Sequence, residues 1–170
     1  MSAIEIKDNG AIRKFLTFKL ANEEYGISIM KIKEIIGLMP ITVLPQTPDY
    51  VKGVINLRGK VIPIIDLRTK FGLEEIPHTE RTCIVVIESD ASDRAVANVG
   101  LVVDAVSEVL NIKAEDIEPP PTIQARIDKE MILGLAKAGK SVKILLDIDN
   151  VVDQEEFAGA VADESGTEAV

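Results

Sequence analysis

The stretch from Val51 to Phe71, VKGVINLRGKVIPIIDLRTKF, constrains the fold more than any other part of this chain. Two short apolar runs flank Asn56-Leu57-Arg58-Gly59, and Asp66 then opens a short segment that Gly72 closes. Gly59 supplies the left-handed backbone conformation that a tight turn between antiparallel strands requires. Asp66 reads as a helix N-cap and Gly72 as its C-terminal stop. Gly53 interrupts the first run, and a glycine inside a strand marks a bulge or a close backbone approach. Arg58 is left at the hairpin tip with no acidic neighbour in sequence. A planar guanidinium with five donors on a rigid hairpin is a recognition device. No catalytic group accompanies it.

The rest of the chain repeats this β character. Phe15–Leu20, Tyr25–Ile29, Ile41–Leu44, Val51–Leu57 and Val61–Ile65 read as strands in the first half, punctuated by Pro40, Pro45 and Pro48. Cys83–Ile87, Val96–Val103, Ile132–Ala138 and Val142–Leu146 follow in the second, with the stiff loop Glu118-Pro119-Pro120-Pro121 between them. Short strands at this spacing predict a small barrel, not a parallel α/β sheet. The halves also match each other. At an offset of 74, Gly26 and Glu34 lie over Gly100 and Glu108; at an offset of 81, Gly53 and Asp66 lie over Gly134 and Asp147. A lobe of roughly 70 residues buries too little to be stable alone, so two related lobes packed together, with a groove between them, are expected. The 170 residues suit this arrangement.

Composition removes several functions. Net charge is −9, against the Lys and Arg surplus that phosphate or anionic-membrane binding relies on. Two Tyr, four Phe and no Trp offer little for base stacking. With one His and one Cys, zinc sites and His-based triads are excluded. Asp147-Ile148-Asp149-Asn150 opens like a calcium loop, but Val152 stands where that loop needs glycine. Cys83, inside an apolar run, reads as a buried small hydrophobe in a reducing compartment. No catalytic, cofactor or metal residues are assigned, and no apolar segment is long enough to span a membrane.

Ile29, Ile32, Ile35 and Ile36 fall at helical spacing, and Val103, Val106, Val109 and Leu110 echo them. Core packing explains most of these residues. The competing possibility is that Ile32, Val106 and Val109 line the groove, with Glu34 setting the register of a partner.

EEYGISIMKIKEIIG, PDYVKGVINLRGKVIPIIDLRTKFG and VGLVVDAVSEVLNI together make the chain similar to the CheW family of bacterial chemotaxis coupling proteins over residues 13–155. The resemblance implies a mainly β fold: two intertwined five-stranded SH3-like or OB-like barrels with short helices, including a short one at the C-terminal end. It implies one domain with lobes at about 13–79 and 80–155, exchange of strands between them being left open. Residues 1–12 are expected to be flexible and the acidic stretch 156–170 disordered. The implied function is non-enzymatic coupling of the cytoplasmic tips of transmembrane chemoreceptors to the regulatory domain of the CheA histidine kinase, by a cytoplasmic monomer recruited to membrane-associated arrays. Ile32, Glu34, Arg58, Val106 and Val109 are then the receptor-contact candidates and Gly53 the kinase-coupling candidate. No cofactor, nucleic acid or direct membrane insertion is implied. A chemosensory pathway controlling pili or gene expression is an alternative within the family.

Overall fold

The computed structural model describes residues 11–89, 97–120 and 129–152. The described strands are β1 (Ile12–Leu20), β2 (Glu23–Ser28), β3 (Ile32–Gly37), β4 (Val51–Leu57), β5 (Lys60–Asp66), β6 (Cys83–Ser89), β7 (Ala97–Val103), β8 (Ala105–Lys113), β9 (Ile117–Glu118), β10 (Ile132–Ala138) and β11 (Ser141–Leu146). Two short helices, α1 (Leu67–Lys70) and α2 (Ile148–Val151), follow β5 and β11. The strands form two sheets, one ordered β3-β6-β7-β5-β4 and the other β8-β1-β2-β11-β10-β9. In both, neighbours are antiparallel except for one central parallel pair, β5–β7 in the first and β2–β11 in the second. The fold is therefore mainly β with few helices, as expected; one sheet has five strands and the other adds the two-residue β9 as a sixth.

The two sheets are the same design made twice, with strands exchanged. Matching β3, β6, β7, β5 and β4 to β8, β1, β2, β11 and β10 preserves every adjacency. Each sheet takes one hairpin from the opposite half: β6–β7 enters the first and β1–β2 the second. The parallel pairs bring Gly100 opposite Ile64 and Gly26 opposite Leu145. A Cβ at Gly100 would come 2.6 Å from Ile64 Cδ1, and one at Gly26 2.8 Å from Leu145 Cδ2. Hydrogen bonds repeat as well: Asp66 N–H donates to Tyr50 C=O at 2.8 Å, and Asp147 N–H donates to Met131 C=O at the same distance.

The core divides along the same lines. A large cluster joins both sheets, drawing Phe18, Tyr25 and Ile27 from one, Ile65, Val85 and Leu101 from the other, and Leu67, Phe71, Ile148 and Val151 from the helices and their flanks. Each sheet also has a private cluster: Ile55, Ile64, Ile84 and Val86 in the first, Phe15, Ile112, Ala136 and Leu145 in the second. This explains the uninterrupted apolar run in β6. Ile84 and Val86 face the private core while Val85 and Ile87 face the shared one, so both faces are buried. Tyr25 stacks between Phe18 and Phe71, with centroids 6.0 and 5.7 Å away.

Charged struts cross between the sheets at equivalent places. Arg68 of α1 donates from Nε and Nη2 to both oxygens of Asp104, at 2.9 and 2.8 Å. Asp104 also accepts from Ala21 N–H at 2.9 Å. On the other side, Asp149 of α2 accepts from Lys31 Nζ at 2.9 Å and from Ser89 Oγ at 3.1 Å. The geometry repeats with the charges inverted: the helix contributes the cation in one copy and the anion in the other. Burial alone would raise the Asp104 carboxyl, but its bonds from Arg68 and Ala21 outweigh that and hold it below its usual range.

Two sequence expectations need correction. Of the residues at helical spacing, Ile32, Ile35 and Ile36 lie on β3 and Val106, Val109 and Leu110 on β8, while Ile29 opens a single 3-10 turn before β3 and Val103 ends β7; none is on an α-helix. In β3, Ile32 pairs with Ile87 and Glu34 with Val86, so Lys33 is an extra bulged residue. In β8, Glu108 pairs with Thr17 and Val106 with Phe18, so Ser107 is the equivalent extra residue. One bulge flips the alternation of a strand, and the resulting spacing imitates a helix. Nor are all these residues core, since Ile35 is 45% and Val109 49% exposed. Ile41–Leu44 is not a strand either. Only Thr42 pairs, with Val54, because Pro40 and Pro45 close off the segment on both sides.

Candidate functional site

The hairpin β4–β5 closes with the two-residue loop Arg58-Gly59, since Leu57 pairs directly with Lys60. Both loop residues have positive φ, 53° at Arg58 and 87° at Gly59. That is the turn whose twist suits two adjacent strands, and glycine meets its demand while arginine is strained by it. Asn56 secures the turn by accepting from Gly59 N–H at 2.8 Å.

The tip does not project alone. Glu34 on β3, 24 residues earlier, forms an ion pair with Arg58. The Arg58 side chain remains 69% exposed and that of Glu34 28%. The pair forms one wall of a cleft of about 230 Å³ whose other lining residues are Lys33, Leu57, Lys60, Ile62, Val86 and Asn98. Three cations thus face one lining acid, and the Asn98 Oδ1 is buried without a hydrogen-bond partner.

Of the receptor-contact candidates, Glu34 and Arg58 are therefore brought into direct contact. Ile32 begins the same strand and packs against the shared core. Val106 and Val109 lie on β8, at the edge of the other sheet, opposite Phe18 and Leu16. Val106 packs on the shared core and Val109 is half exposed; none of these three lines the cleft. Asn98 escaped sequence reasoning because it meets the hairpin only through the β5–β7 pairing, and Lys60 because nothing local marks the first residue of β5 as facing Glu34 and Lys33.

Gly53 sits at the bulge of β4, where Val51 pairs with Ile65 and Gly53 with Ile64, leaving Lys52 extra. Its φ is 142°, and a Cβ there would run into the carbonyl of Thr42. Thr42 and Val54 exchange two backbone hydrogen bonds, of 2.8 and 2.9 Å, across this point. Only glycine lets the two backbones approach this closely.

Cys83 is half-buried, and burial pushes its thiol up, the opposite of an activated nucleophile. Among the described residues no group of His, Cys, Asp and Glu is placed to hold a metal ion. No described helix is long and apolar enough to cross a membrane.

A duplicated β fold whose distinctive surface is a charged display cleft defines a binding module. Residues 14–156 match the family model for the CheW-like domain. The Klebsiella aerogenes chemotaxis protein CheW is 43% identical over 146 residues, covering 86% of this chain and 85% of that protein. A probable chemotaxis protein CheW of Rhizobium etli is 35% identical over 152 residues, covering 89% and 95%. The crystal structure of the scaffolding protein TtCheW from Thermoanaerobacter tengcongensis superimposes with a TM-score of 0.76 at 34% identity, covering 86% of this chain and 92% of that one. The chain belongs to the CheW family.

Proposed function

We propose that this protein is a non-enzymatic adaptor of bacterial chemotaxis, acting in the cytoplasm to couple chemoreceptor tips to the regulatory domain of the CheA kinase. The observation that carries this reading is family membership across 14–156 together with an arginine held at positive φ on a hairpin tip and paired to Glu34. Strained backbone of this kind clusters at ligand clamps and switch regions; Ala21 and Gln46 share the positive φ, and Arg58 differs from them in presenting a charged side chain within a cleft.

In this reading the receptor contacts the face containing Glu34 and Arg58, with Ile32, Val106 and Val109 contributing apolar surface. Gly53 shapes the β4 bulge on which kinase coupling depends. The free protein is a monomer. Individual contacts are small, below roughly 1,200 Å², and array multivalency makes them effective together. Signalling requires that the adaptor contact its partners differently in kinase-on and kinase-off arrangements, because a partner that binds both states equally shifts neither.

The test is reconstitution of receptor-bearing membranes with kinase, reading autophosphorylation and co-sedimentation. The wild-type protein should raise receptor-dependent kinase activity, and Arg58→Glu should lose most of that activation while keeping its fold. Gly53→Asp should weaken kinase binding. An adaptor that neither activates nor co-sediments would sink the proposal, and full coupling by Arg58→Glu would remove the cleft from the receptor site.

A further inference from the structure

We propose that the acidic segment 153–170 of this chain docks in its own Lys33–Arg58–Lys60 cleft and competes there with the receptor. The competition, though not the docking, rests on the adaptor reading above.

Charge is distributed very unevenly along the chain. Residues 153–170 carry six acids (Asp153, Glu155, Glu156, Asp163, Glu164 and Glu168) and no Lys or Arg. The remaining 22 acids face all 19 bases, so two-thirds of the net charge of −9 lies on this one segment. Six acids with no base to offset them make this segment a ligand for cations.

The place where it leaves the fold directs it to β3. Val151 and Val152 are buried in the shared core, against which Ile29 and Ile32 also pack. Asp149, three residues before Val152, holds Lys31 at 2.9 Å. Lys33 lies two residues beyond Lys31, about 7 Å along the chain, and lines the cleft with Arg58 and Lys60. Eighteen residues reach at most about 60 Å when fully extended, so the cleft is within reach.

The cleft has capacity for an anionic chain. Lys33 is held only at 3.7 Å by Glu88, and Arg58 keeps most of its surface despite Glu34. Lys60 has no ion pair among the described residues. A cleft on the other sheet that shares the positions of Lys60, Ile62 and Asn98 provides the contrast. It is lined by Lys19, Asn22, Glu23, Glu24, Ser141 and Lys143, so its two cations already meet two acids. Lys143 is also nearly buried against Glu24, at 2.5 Å. Ile62 and Asn98 stand at the places of Lys143 and Glu24 in the first cleft, so the buried pair of the second cleft has no counterpart there, Glu34 is the one acid lining it, and Asn98 Oδ1 is left without a donor. Backbone N–H groups of a docked chain are the donors such a carbonyl takes.

Paramagnetic NMR on the full-length chain tests the docking. A nitroxide is attached at Ala162→Cys in a Cys83→Ala background, Cys83 being the only native cysteine. At low salt the amides of Lys33, Arg58 and Lys60 should lose at least about half their intensity, while Ser141 and Lys143 keep theirs. About 0.5 M salt should restore the signals, since the Debye length falls below about 5 Å. Lys33→Glu/Lys60→Glu, checked for a native amide spectrum, should abolish the effect. Equal broadening at both clefts, none at either, or persistence in the charge-reversed variant would overturn the docking. Changing the six acids to Asn and Gln should tighten receptor binding roughly three- to tenfold, and unchanged affinity would overturn the competition. If broadening is seen but Arg58→Glu couples receptors normally, the adaptor site is wrong and the docking stands; the reverse pattern removes the docking alone.

Discussion

The hairpins β4–β5 and β10–β11 occupy equivalent positions in the two sheets, and each contains a bulge glycine and a two-residue loop. They share an exposed valine, Val61 and Val142, but their loops and surroundings differ. The first displays Arg58 at positive φ beside Glu34; the second has Gly139 with φ 65°, while Lys140 keeps an ordinary negative φ. The first bulge presses Gly53 against a lone extended residue, Thr42, and the second sets Gly134 beside β9. Duplication thus preserved the backbone that each sheet needs and left the surface free to diverge. Features shared by both copies serve folding, and features confined to one are candidates for function.

The bulge glycines should give the largest effect and the sharpest separation. At Gly53 a side chain meets the Thr42 carbonyl, an atom of the backbone, and must also adopt φ near 142°. Gly53→Ala should cost at least about 3 kcal/mol. At Gly134 the added Cβ meets the movable Ile117 Cγ2 at 2.5 Å as well as Glu118 O at 2.8 Å. Gly134→Ala should cost about 1–2 kcal/mol. Urea unfolding of both variants measures the gap, and equal losses would break the comparison.

The struts come next. Arg68 and Asp104 share two hydrogen bonds with side-chain exposures of 12% and 23%, against one bond and 29% and 24% for Lys31 and Asp149. Asp104→Asn should cost about 2 kcal/mol at pH 7 and Asp149→Asn about 1. Their pH dependence carries a sign. Asp104 is held below its usual range, so its contribution is present above the unfolded carboxylate value and is lost as pH falls through the folded one. The Asp104→Asn defect should therefore shrink below about pH 4. A defect that stays constant down to pH 2 would show that the strut acts through packing and not through charge.

Sequence carried much of this, for identifiable reasons. The tight turn at Gly59, the cap at Asp66, the stop at Gly72 and the bulge at Gly53 are local chemistry and were all legible. The duplication was legible because glycine is required wherever Ile64 or Leu145 packs on the facing backbone. Strands β3 and β8 were hidden by the bulges at Lys33 and Ser107, which disguise a period of two. The ion pair of Arg58 was hidden for another reason. Glu34 reaches it across a sheet in which β6, β7 and β5 separate the two parent strands. Asp104 was invisible since the repeat aligns it with Met30, and the inverted strut keeps the geometry while reversing the residues.

The smallest effect is the most informative about Arg58. A left-handed backbone costs a non-glycine residue about 1–2 kcal/mol, and the exposed pair with Glu34 returns only about 0–1 kcal/mol. Arg58→Gly relieves the first and loses the second, and it also enlarges the freedom of the unfolded chain, which works against the mutant. The net change should be a stabilisation of no more than about 0.5 kcal/mol in urea unfolding, accompanied by loss of receptor-dependent kinase activation. Lys140→Gly, made at the next loop position of the other hairpin where φ is not positive, has no strain to relieve. It should destabilise slightly, by about 0.5 kcal/mol, and leave coupling intact. Opposite signs from the same substitution would mean that the first hairpin keeps arginine at the expense of its own turn. If both variants instead lose stability equally, the strain at Arg58 is absorbed by its surroundings, and the arginine needs no functional explanation.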